Sequence, residues 1–488
     1  MEAAQETMLA IPSSQLIILE RISVEIAAKE FEHQSMLKKL LFFFLREGIK
    51  QTAAKIKCFR YSQFLNSQFF FIIGQIKNTD LYICGKQYAV SQPVFYFSPK
   101  LVFDHKPNPE SLKQVLKYEA FSGLEPELRG NENQHLTKQL LSDYPFKPIS
   151  ISRTFRRKRQ TDLDLYIIGC GSYTRTYVLP IFKSFYRKFA CDLNPTVLGS
   201  KYLNTFEYRS NSFLDMFNIC KSDNHSVALI ASYHSNHSEQ AVSILSRLEN
   251  VKVFIEKPPC VSRDDLDNLL RVFDTNRVAV GYNRRYIPWN RLIRDLIHQY
   301  DAPVSICFNI KEVQVPVDHW YCWPNQGTRI TGNLSHWFDL SVYWIDSLPK
   351  KLFVSRNDVL GIDHSTFVVI FENGSTATFL PDDRGDLTRG VQEFISIRSG
   401  NYEVTVNDYT YMKIWEKGKT KRFYNIRRNK GHSAMYKDFI QRVRSGQPFT
   451  YTHKDLIYSS ELYIKCIEAY MKEIPEVELS FERYRNYL

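Results

Sequence analysis

Glycine is scarce in this chain, with only 19 among 488 residues, so any cluster of glycines would be informative. Cysteine offers no structural framework, because the nine cysteines are an odd number and no two have C-x-x-C spacing. A disulfide-stapled fold or a zinc ribbon is therefore not expected, and we expect no bound metal. A reducing compartment fits the cysteine content best.

Long hydrophobic runs are also missing. The longest, residues 40–45 and 69–73, fall well short of the roughly 18 residues that a membrane-spanning helix needs. The first residues lack the basic, apolar and small-residue pattern of a signal peptide. Residues 36–46 could form an amphipathic helix, for which packing against the protein is favoured over a membrane surface. We therefore expect a cytoplasmic protein without a membrane span.

Positive charge exceeds negative charge only modestly, since 64 Lys and Arg against 52 Asp and Glu give a net charge of +12. The densest basic run contains Arg153, Arg156, Arg157, Lys158 and Arg159, and no base-reading motif lies near it. A solvated linker is favoured there over a nucleic-acid contact. The hydrophobic share of 44% and the charged share of 24% are typical of a folded globular protein.

Three zones follow one another along the chain. Residues 1–150 have weak periodicity, with a predicted helix at 23–57 and strand-like alternation at 81–84 and 88–90. Residues 151–161 are predicted to be a basic linker. Residues 162–287 contain short apolar runs that alternate with amphipathic segments, a pattern typical of buried parallel strands joined by helices. The predicted strands of that zone are 163–168, 227–231, 251–255 and 278–281, and the predicted helices are 238–248 and 263–273.

The last zone, residues 288–488, has a different pattern. A helix at 289–299, a strand at 304–311 and a helix at 333–344 are followed by strand-like runs. Hairpin turn residues separate these runs at 372–375, 398–401 and 416–419. Two helices are predicted at the end, at 432–444 and 453–471. The sequence thus predicts an extra N-terminal α+β segment, then an α/β Rossmann domain with a parallel sheet, and then an α+β domain with an open, mainly antiparallel sheet.

A glycine-rich turn follows the first buried strand of the second zone. Gly169 would allow the tight turn and Gly171 the close approach of a pyrophosphate, while Thr174 stands in the place of a third glycine. Asp192 lies 23 residues after Gly169, where an acidic side chain accepts hydrogen bonds from a ribose and so favours NAD over NADP. An exposed turn aspartate is the alternative interpretation of Asp192.

Polar side chains also follow the next two strands. Residues 232–237 and 256–259 lie just past apolar runs, at the edge where open α/β sheets bind ligands. Lys257 could hydrogen-bond a substrate hydroxyl and polarise the ketone that it becomes. On the later helix, Asn333, His336 and Asp339 share a face, so Asp339 could orient the imidazole of His336 as a proton acceptor. The alternative is a structural histidine at a domain interface.

Three motifs in this order resemble the Gfo/Idh/MocA oxidoreductases, the family of glucose-fructose oxidoreductase and inositol dehydrogenase. They are Glu256-Lys257-Pro258, the segment from Gly281 to Tyr286, and the segment from Ser335 to Asp339. More narrowly, residues 319–320, 327–330 and 430–432 look like bi-domain members encoded among surface-polysaccharide genes, in which an alcohol-dehydrogenase-like segment comes first. Residues 1–150 would then be a shortened remnant of that segment.

The resemblance implies a site made of residues from both domains. Lys257 and His336 would be catalytic. The residues expected to bind the cofactor are Gly169, Gly171, Ser172, Tyr173, Thr174, Asp192, Ser232, His237, Glu256 and Lys257. The residues expected to border the substrate are Arg284, Arg285, Tyr286, Asn333 and His336.

The expected function is an NAD-dependent dehydrogenase that acts on a secondary hydroxyl of a sugar, most often nucleotide-linked, in surface polysaccharide synthesis. A homo-oligomer formed through the C-terminal sheet is expected, with no nucleic-acid partner. The chain departs from the family at Gly332 and Asn333, where relatives carry an aspartate or a glutamate before the histidine. The alternative is therefore a non-catalytic NAD-binding regulator or scaffold of the same fold.

Overall fold

The computed structural model describes residues 163–193, 195–220, 226–313, 326–385 and 390–488, together with short stretches before residue 163. The basic run at 153–159 and residues 319–320 lie outside the described residues, as does most of the helix predicted at 23–57. Among the described residues, no helix combines the length and the apolar character needed to cross a membrane.

Five strands in the first zone form an antiparallel sheet with the order β1-β5-β4-β3-β2. Strand β4 covers most of the strand-like alternation expected at 81–90. The strands are β1 (Leu9–Pro12), β2 (Leu16–Ile22), β3 (Phe69–Ile76), β4 (Tyr82–Tyr88) and β5 (Val94–Phe103). The role of this first zone stays a prediction.

The second zone is built on a seven-stranded sheet with the order β12-β11-β10-β7-β8-β9-β6. All neighbours are parallel except β6, which pairs antiparallel with β9 at the edge, so the first residues of the predicted linker belong to this sheet. The strands are β6 (Ser150–Ser152), β7 (Asp164–Ile168), β8 (Tyr186–Cys191), β9 (Tyr208–Ser210), β10 (Ser226–Ile230), β11 (Val251–Ile255) and β12 (Val278–Val280).

Helices connect these parallel strands, as the alternating pattern predicts. They are α1 (Pro195–Leu198), α2 (Asp215–Ile219), α3 (His237–Arg247) and α4 (Arg263–Leu270). Helix α4 begins with a capping box, in which the Ser262 hydroxyl oxygen accepts from the Asp265 amide at 3.2 Å while the Asp265 carboxylate accepts from the Ser262 amide. The cap satisfies backbone donors that the helix itself leaves unpaired.

The last zone contains a nine-stranded sheet with the order β20-β19-β18-β17-β13-β16-β15-β14-β21. Only the β13–β16 pair is parallel, so the prediction of a mainly antiparallel sheet is confirmed. The strands are β13 (Ser305–Val313), β14 (Pro349–Ser355), β15 (Thr366–Phe371), β16 (Thr376–Gly385), β17 (Gln392–Arg398), β18 (Tyr402–Asn407), β19 (Tyr411–Glu416), β20 (Lys419–Tyr424) and β21 (Glu476–Glu478).

Four helices accompany this sheet, namely α5 (Pro288–Tyr300), α6 (Ser335–Ile345), α7 (His432–Ser445) and α8 (His453–Met471). A π-helical turn, Ile330–Leu334, directly precedes α6. Helix α7 packs on the second zone, because Tyr436 and Phe439 share an apolar cluster with Phe182 and Phe254. The chain therefore returns to the parallel sheet after it has built most of the antiparallel one.

Candidate functional site

The glycine-rich turn follows β7, as predicted, and its two glycines have different surroundings. Gly169 has a φ of +88°, and a Cβ built on it would lie 2.3 Å from the carbonyl oxygen of Ala231. A side chain at Gly169 is thus excluded by the protein itself. Gly171 is exposed, and no atom of the described residues lies within 4 Å of a Cβ built there. This empty space is where a ligand could approach the backbone.

The segment after the turn is short. It is a π-helical turn, Thr174–Val178, rather than a long helix. Thr174 is buried, and its hydroxyl donates to the carbonyl oxygen of Gly169 at 2.6 Å. The residue in place of the third glycine therefore closes the turn onto itself, while Ser172 at its tip stays exposed.

Asp192 lies immediately after β8, next to the glycine-rich turn. Its Oδ2 accepts a hydrogen bond from the Cys170 amide at 2.8 Å, which ties the end of β8 to the turn. The side chain is only partly buried. The contact of Asp192 with a ribose stays a prediction.

Ser232 and His237 follow β10, and their side chains are engaged within the protein. The Ser232 hydroxyl donates to Gln240 at 2.7 Å. The two ring nitrogens of His237 lie 2.8 Å from the Pro258 carbonyl oxygen and 3.1 Å from that of Ser232. Burial lowers the pKa of His237 to about 4. These residues hold two strand-end loops together at the predicted edge of the sheet.

Tyr173 and Glu256 form a buried cluster with a residue that sequence reasoning missed, Tyr436 of α7. Tyr173 donates to Glu256 Oε1 at 3.3 Å, Tyr436 donates to the same oxygen, and the two hydroxyls lie 3.1 Å apart. Burial raises the pKa of Glu256 to about 7. The cluster connects the glycine-rich turn to the loop that carries Lys257.

Lys257 reaches across to the other domain. Its Nζ donates to the carbonyl oxygen of Gly332 at 2.5 Å, in the π-helical turn before α6. Burial lowers the pKa of Lys257 to about 8, and the charge of Arg284 acts in the same direction. Lys257 thus contacts the backbone four residues before His336.

His336 lies in the first turn of α6, buried, with 6% of its surface exposed. Its Nδ1 is buried and has no hydrogen-bond partner among the described residues. Burial, followed by the positive charges of Arg284 and Lys257, lowers its pKa well below the usual range. The imidazole is therefore neutral at physiological pH and able to accept a proton.

Asp339 does not orient His336, and that expectation is wrong. Its carboxylate oxygens accept from Arg285 Nη2 at 2.7 Å and from Nε at 2.8 Å. A third nitrogen of the same guanidinium lies 3.0 Å from Asp455. Arg285 is a planar fork that matches a carboxylate with two parallel bonds, so it outcompetes a histidine one turn away. The guanidinium of Arg285 accordingly links the helices that carry Asp339 and Asp455.

Arg284 is paired with a carboxylate that the sequence analysis missed, Glu393 of β17. Arg284 Nη2 and Nε lie 2.9 and 3.2 Å from the Glu393 oxygens, and Lys430 Nζ lies 3.2 Å from one of them. Burial alone would raise the pKa of Glu393, but the charges of Arg284 and Lys430 lower it to about 2. A cationic cluster with one permanent anion thus borders His336.

The remaining predicted residues lie at the edge of this cluster. Asn333 donates through Nδ2 to Glu312, and Tyr286 is partly buried against the core of the parallel sheet. His432 stacks on Tyr177 with ring centroids 4.6 Å apart, and its pKa is lowered to about 3 by burial.

No family model matches the chain. One curated protein resembles part of it. The protein, "Putative oxidoreductase YteT" of Bacillus subtilis, is 25% identical over 165 residues, which are 30% of this chain and 35% of that protein. The chain therefore matches about a third of the length of this curated relative.

Solved structures share the fold at low sequence identity. The oxidoreductase domain protein from Kribbella flavida matches with a TM-score of 0.56 and 12% identity, over 66% of this chain and 100% of that one. The myo-inositol 2-dehydrogenase from Lactobacillus plantarum matches with a TM-score of 0.53 and 16% identity, over 65% and 99%. An oxidoreductase from Agrobacterium radiobacter in complex with NAD+, L-tartaric acid and magnesium matches with a TM-score of 0.53 and 15% identity, over 65% and 98%.

These likenesses concern architecture, namely a parallel sheet followed by a mainly antiparallel one. The two-domain fold that the resemblance to the Gfo/Idh/MocA oxidoreductases implies is confirmed.

Proposed function

We propose that this chain is an NAD(H)-dependent oxidoreductase that acts on a secondary hydroxyl of a sugar. The observation that carries the proposal is the buried, neutral His336, whose Nδ1 lacks a partner among the described residues, one turn from the group that Lys257 contacts. An unsatisfied buried nitrogen is costly unless a ligand completes it. A substrate hydroxyl would supply the missing partner.

The glycine-rich turn fits the pyrophosphate of a dinucleotide. Within the part of the chain that the structure describes, no atom lies within 4 Å of a Cβ built on Gly171, and the exposed Ser172 continues the same backbone. Asp192 would accept from the adenosine ribose, which favours NAD over NADP. Residues 232–237 and the loop at Glu256 and Lys257 would border the nicotinamide half. The solved structure from Agrobacterium radiobacter, which contains NAD+, supports this choice of cofactor.

The nicotinamide supplies a hydride acceptor or donor when it is bound. The chain's own residues manage the proton and the oxygen. The Lys257 ammonium donates a hydrogen bond to the substrate oxygen and stabilises negative charge that develops on it. The neutral imidazole of His336 accepts the hydroxyl proton in the oxidation direction and returns it in the reverse direction. Arg284 and Lys430, both bound to Glu393, place positive charge beside this exchange.

The proposal also includes the class of sugar that serves as the substrate. A nucleotide-linked sugar of surface polysaccharide synthesis is proposed from the sequence resemblance alone. The cations Lys257, Arg284 and Lys430 near His336 are opposed by Glu393 and by the partly charged Glu256, while Glu312 is paired with Arg329. The positive charge that remains supports an anionic substrate such as a sugar diphosphate.

The test separates binding from turnover. Purified protein is titrated with NADH by fluorescence and then assayed by nicotinamide absorbance against a panel of nucleotide sugars. Lys257→Ala should lower kcat/KM by at least about 100-fold, because an oriented proton-transfer partner contributes that much, while NADH still binds. Turnover by Lys257→Ala close to that of the unmodified chain would contradict the assignment. Binding of NADH without turnover of any sugar would favour a scaffold instead.

A homo-oligomer formed through the nine-stranded sheet belongs to the same proposal. Buried and exposed side chains alternate along its strands, and helices cover the buried face. The other face carries apolar side chains that are only partly buried, on neighbouring strands. These are Phe353, Val368, Ile370, Leu380 and Phe394. A second copy of the chain would cover them.

A further inference from the structure

Glu312 is a buried charge at the end of an apolar strand face. Ile306, Phe308 and Ile310 alternate along β13 with their side chains inward, and Glu312 continues this face with 3% of its surface exposed. Burying a carboxylate is expensive unless partners satisfy it. A leucine or isoleucine would pack at position 312 without this cost. Packing alone therefore does not explain why a carboxylate is buried there.

One partner of Glu312 directly precedes the π-helical turn Ile330–Leu334, and the other lies within it. Arg329 donates through Nη2 to Glu312 Oε2 at 2.5 Å, and Asn333 donates through Nδ2 to the same oxygen. Arg329 also donates to the Val313 carbonyl oxygen at 2.9 Å. Glu312 thus holds the turn at its beginning and near its end, and so fixes the backbone in between.

The backbone in between is the part that Lys257 contacts. The carbonyl oxygen of Gly332 accepts from Lys257 Nζ, and Gly332 is the neighbour of Asn333. His336 follows in the first turn of α6, which continues directly from the π-helical turn. A displacement of this turn would therefore move both the acceptor of Lys257 and the imidazole.

We propose that Glu312 is the positioning residue of this site: it anchors the turn that holds Lys257 and His336, and it supplies from β13 the negative charge that positions 332 and 333 lack. Gly332 and Asn333 carry no carboxylate, so the turn itself has no anion to offer. The inference rests on the proposed function for the role of Lys257.

The charges that face Lys257 come from several elements. Glu256 precedes it, Arg284 approaches from the loop after β12, and Glu312 acts from β13. Arg284 and burial favour the neutral amine, whereas Glu256 and Glu312 favour the ammonium. Since burial raises the pKa of Glu256 to about 7, its carboxyl is only partly charged at neutral pH. Glu312 is held in place by its ion pair with Arg329.

The test measures the protonation of Lys257 directly. Labelling by an amine-reactive reagent is followed by mass spectrometry across pH, because only the neutral amine reacts. Glu312→Gln should label Lys257 about threefold faster at neutral pH, which corresponds to a pKa lower by about half a unit. The control is Asp383→Asn, which removes another carboxylate, 3.8 Å from Arg329, without touching Asn333. This control should label like the unmodified chain.

Kinetics complete the test. In Glu312→Gln, kcat should fall by at least about tenfold and its alkaline limb should move to lower pH, while the NADH dissociation constant stays within about twofold, a difference of about 0.4 kcal/mol. If Glu312→Gln does not fold, Asn333→Ala keeps the ion pair with Arg329 and should still lower kcat. Unchanged labelling in Glu312→Gln, or unchanged kcat in the folded variant, would overturn the proposal. Labelling and NADH binding need no turnover, so failure of the proposed function is recognised separately.

Discussion

Gly169 and Gly171 should respond differently to alanine. Gly169→Ala places a side chain in the left-handed region, which costs about 1–2 kcal/mol, and against the Ala231 carbonyl group as well. The melting temperature should fall. The side chain of Gly171→Ala meets no atom of the described residues, so this variant should melt normally but bind NADH about tenfold more weakly, a loss of about 1.4 kcal/mol.

Thermal unfolding and NADH fluorescence titration measure the two effects on the same samples. Each variant is the reference for the other: Gly169→Ala should lose stability, whereas Gly171→Ala should keep its stability and lose affinity for NADH. A loss of stability in Gly171→Ala with unchanged affinity would show that the space above this glycine is not a ligand site.

The pH profile of the reaction should have one falling limb. Proton transfer from the alcohol needs a neutral His336 and a charged Lys257. Burial and neighbouring positive charges lower the pKa of His336 well below 6.5, and burial lowers that of Lys257 to about 8. In the oxidation direction, kcat/KM should therefore be level through neutrality and fall as the pH rises past about 8.

Initial rates at low substrate concentration give this profile. Lys257→Arg keeps its charge at all accessible pH values, so whatever activity it retains should decline only at higher pH. A rising limb centred near 6.5 with no decline above 8 would assign the titration to an ordinary histidine.

The place of a single residue in the fold can be predicted from the sequence where a local motif fixes it. Gly169, Gly171, Lys257 and His336 each follow a recognisable strand end or helix start. Glu312 and Glu393 were missed because their partners come from distant segments. A signal for Glu312 does exist, since a charge ends the inward alternation of Ile306, Phe308 and Ile310.

Among the elements, the turn after β12, α6 and α8 meet at the Arg285–Asp339 pair. Asp339 is fully buried, so Arg285→Met would leave its carboxylate without its charged partner. Such a loss costs about 3–5 kcal/mol. The free energy of unfolding from urea titration should fall by about this amount, and adding Asp339→Leu should restore much of it.

The loss should depend on pH. Burial raises the pKa of Asp339 to about 6 even with Arg285 present, and the pKa should rise further without it. A buried acid with a raised pKa is more stable protonated, so Arg285→Met should be less damaging at about pH 5 than at about pH 8. A small loss, equal at both pH values, would mean that the pair contributes little.

The same pair shows why helix periodicity misassigned Asp339. Spacing along α6 places His336 and Asp339 on one face, and that much is correct. The elements that pack on the helix decide which partner a buried carboxylate binds. Here Arg285, from the turn after β12, binds Asp339 through two hydrogen bonds. The sequence around Asp339 contains no information about this contact with Arg285.

At the scale of the whole molecule, the open face of the nine-stranded sheet predicts self-association. Val368 lies opposite Phe353 on β14 and opposite Thr378 on β16, near the middle of the apolar patch. Val368→Lys should bury a charge in the proposed interface and lower the molar mass measured by light scattering. Lys350→Ala is the control, because Lys350 is exposed at the start of β14. A chain that is monomeric before any substitution would contradict the proposal.

The sequence predicts that a parallel sheet is followed along the chain by a mainly antiparallel one, because the two zones differ in their hydrophobic patterns. Apolar runs indicated the parallel strands, and hairpin turns indicated the antiparallel ones. The edge strand β6 was missed, since three residues show no period. The parallel β13–β16 pair was missed too, because its strands are joined by a long excursion through α6 rather than by a turn.

Helix α7 has a practical consequence for exchanging domains between relatives. It follows the antiparallel sheet in the chain, yet Tyr436 and Phe439 pack on Phe182 and Phe254 of the parallel-sheet half. If residues 288–488 were exchanged with a single junction after residue 287, the parallel-sheet half would lose α7, the helix that packs on it. A working chimaera would need two further junctions, so that α7 stays with the parallel sheet while the antiparallel sheet and α8 are exchanged around it.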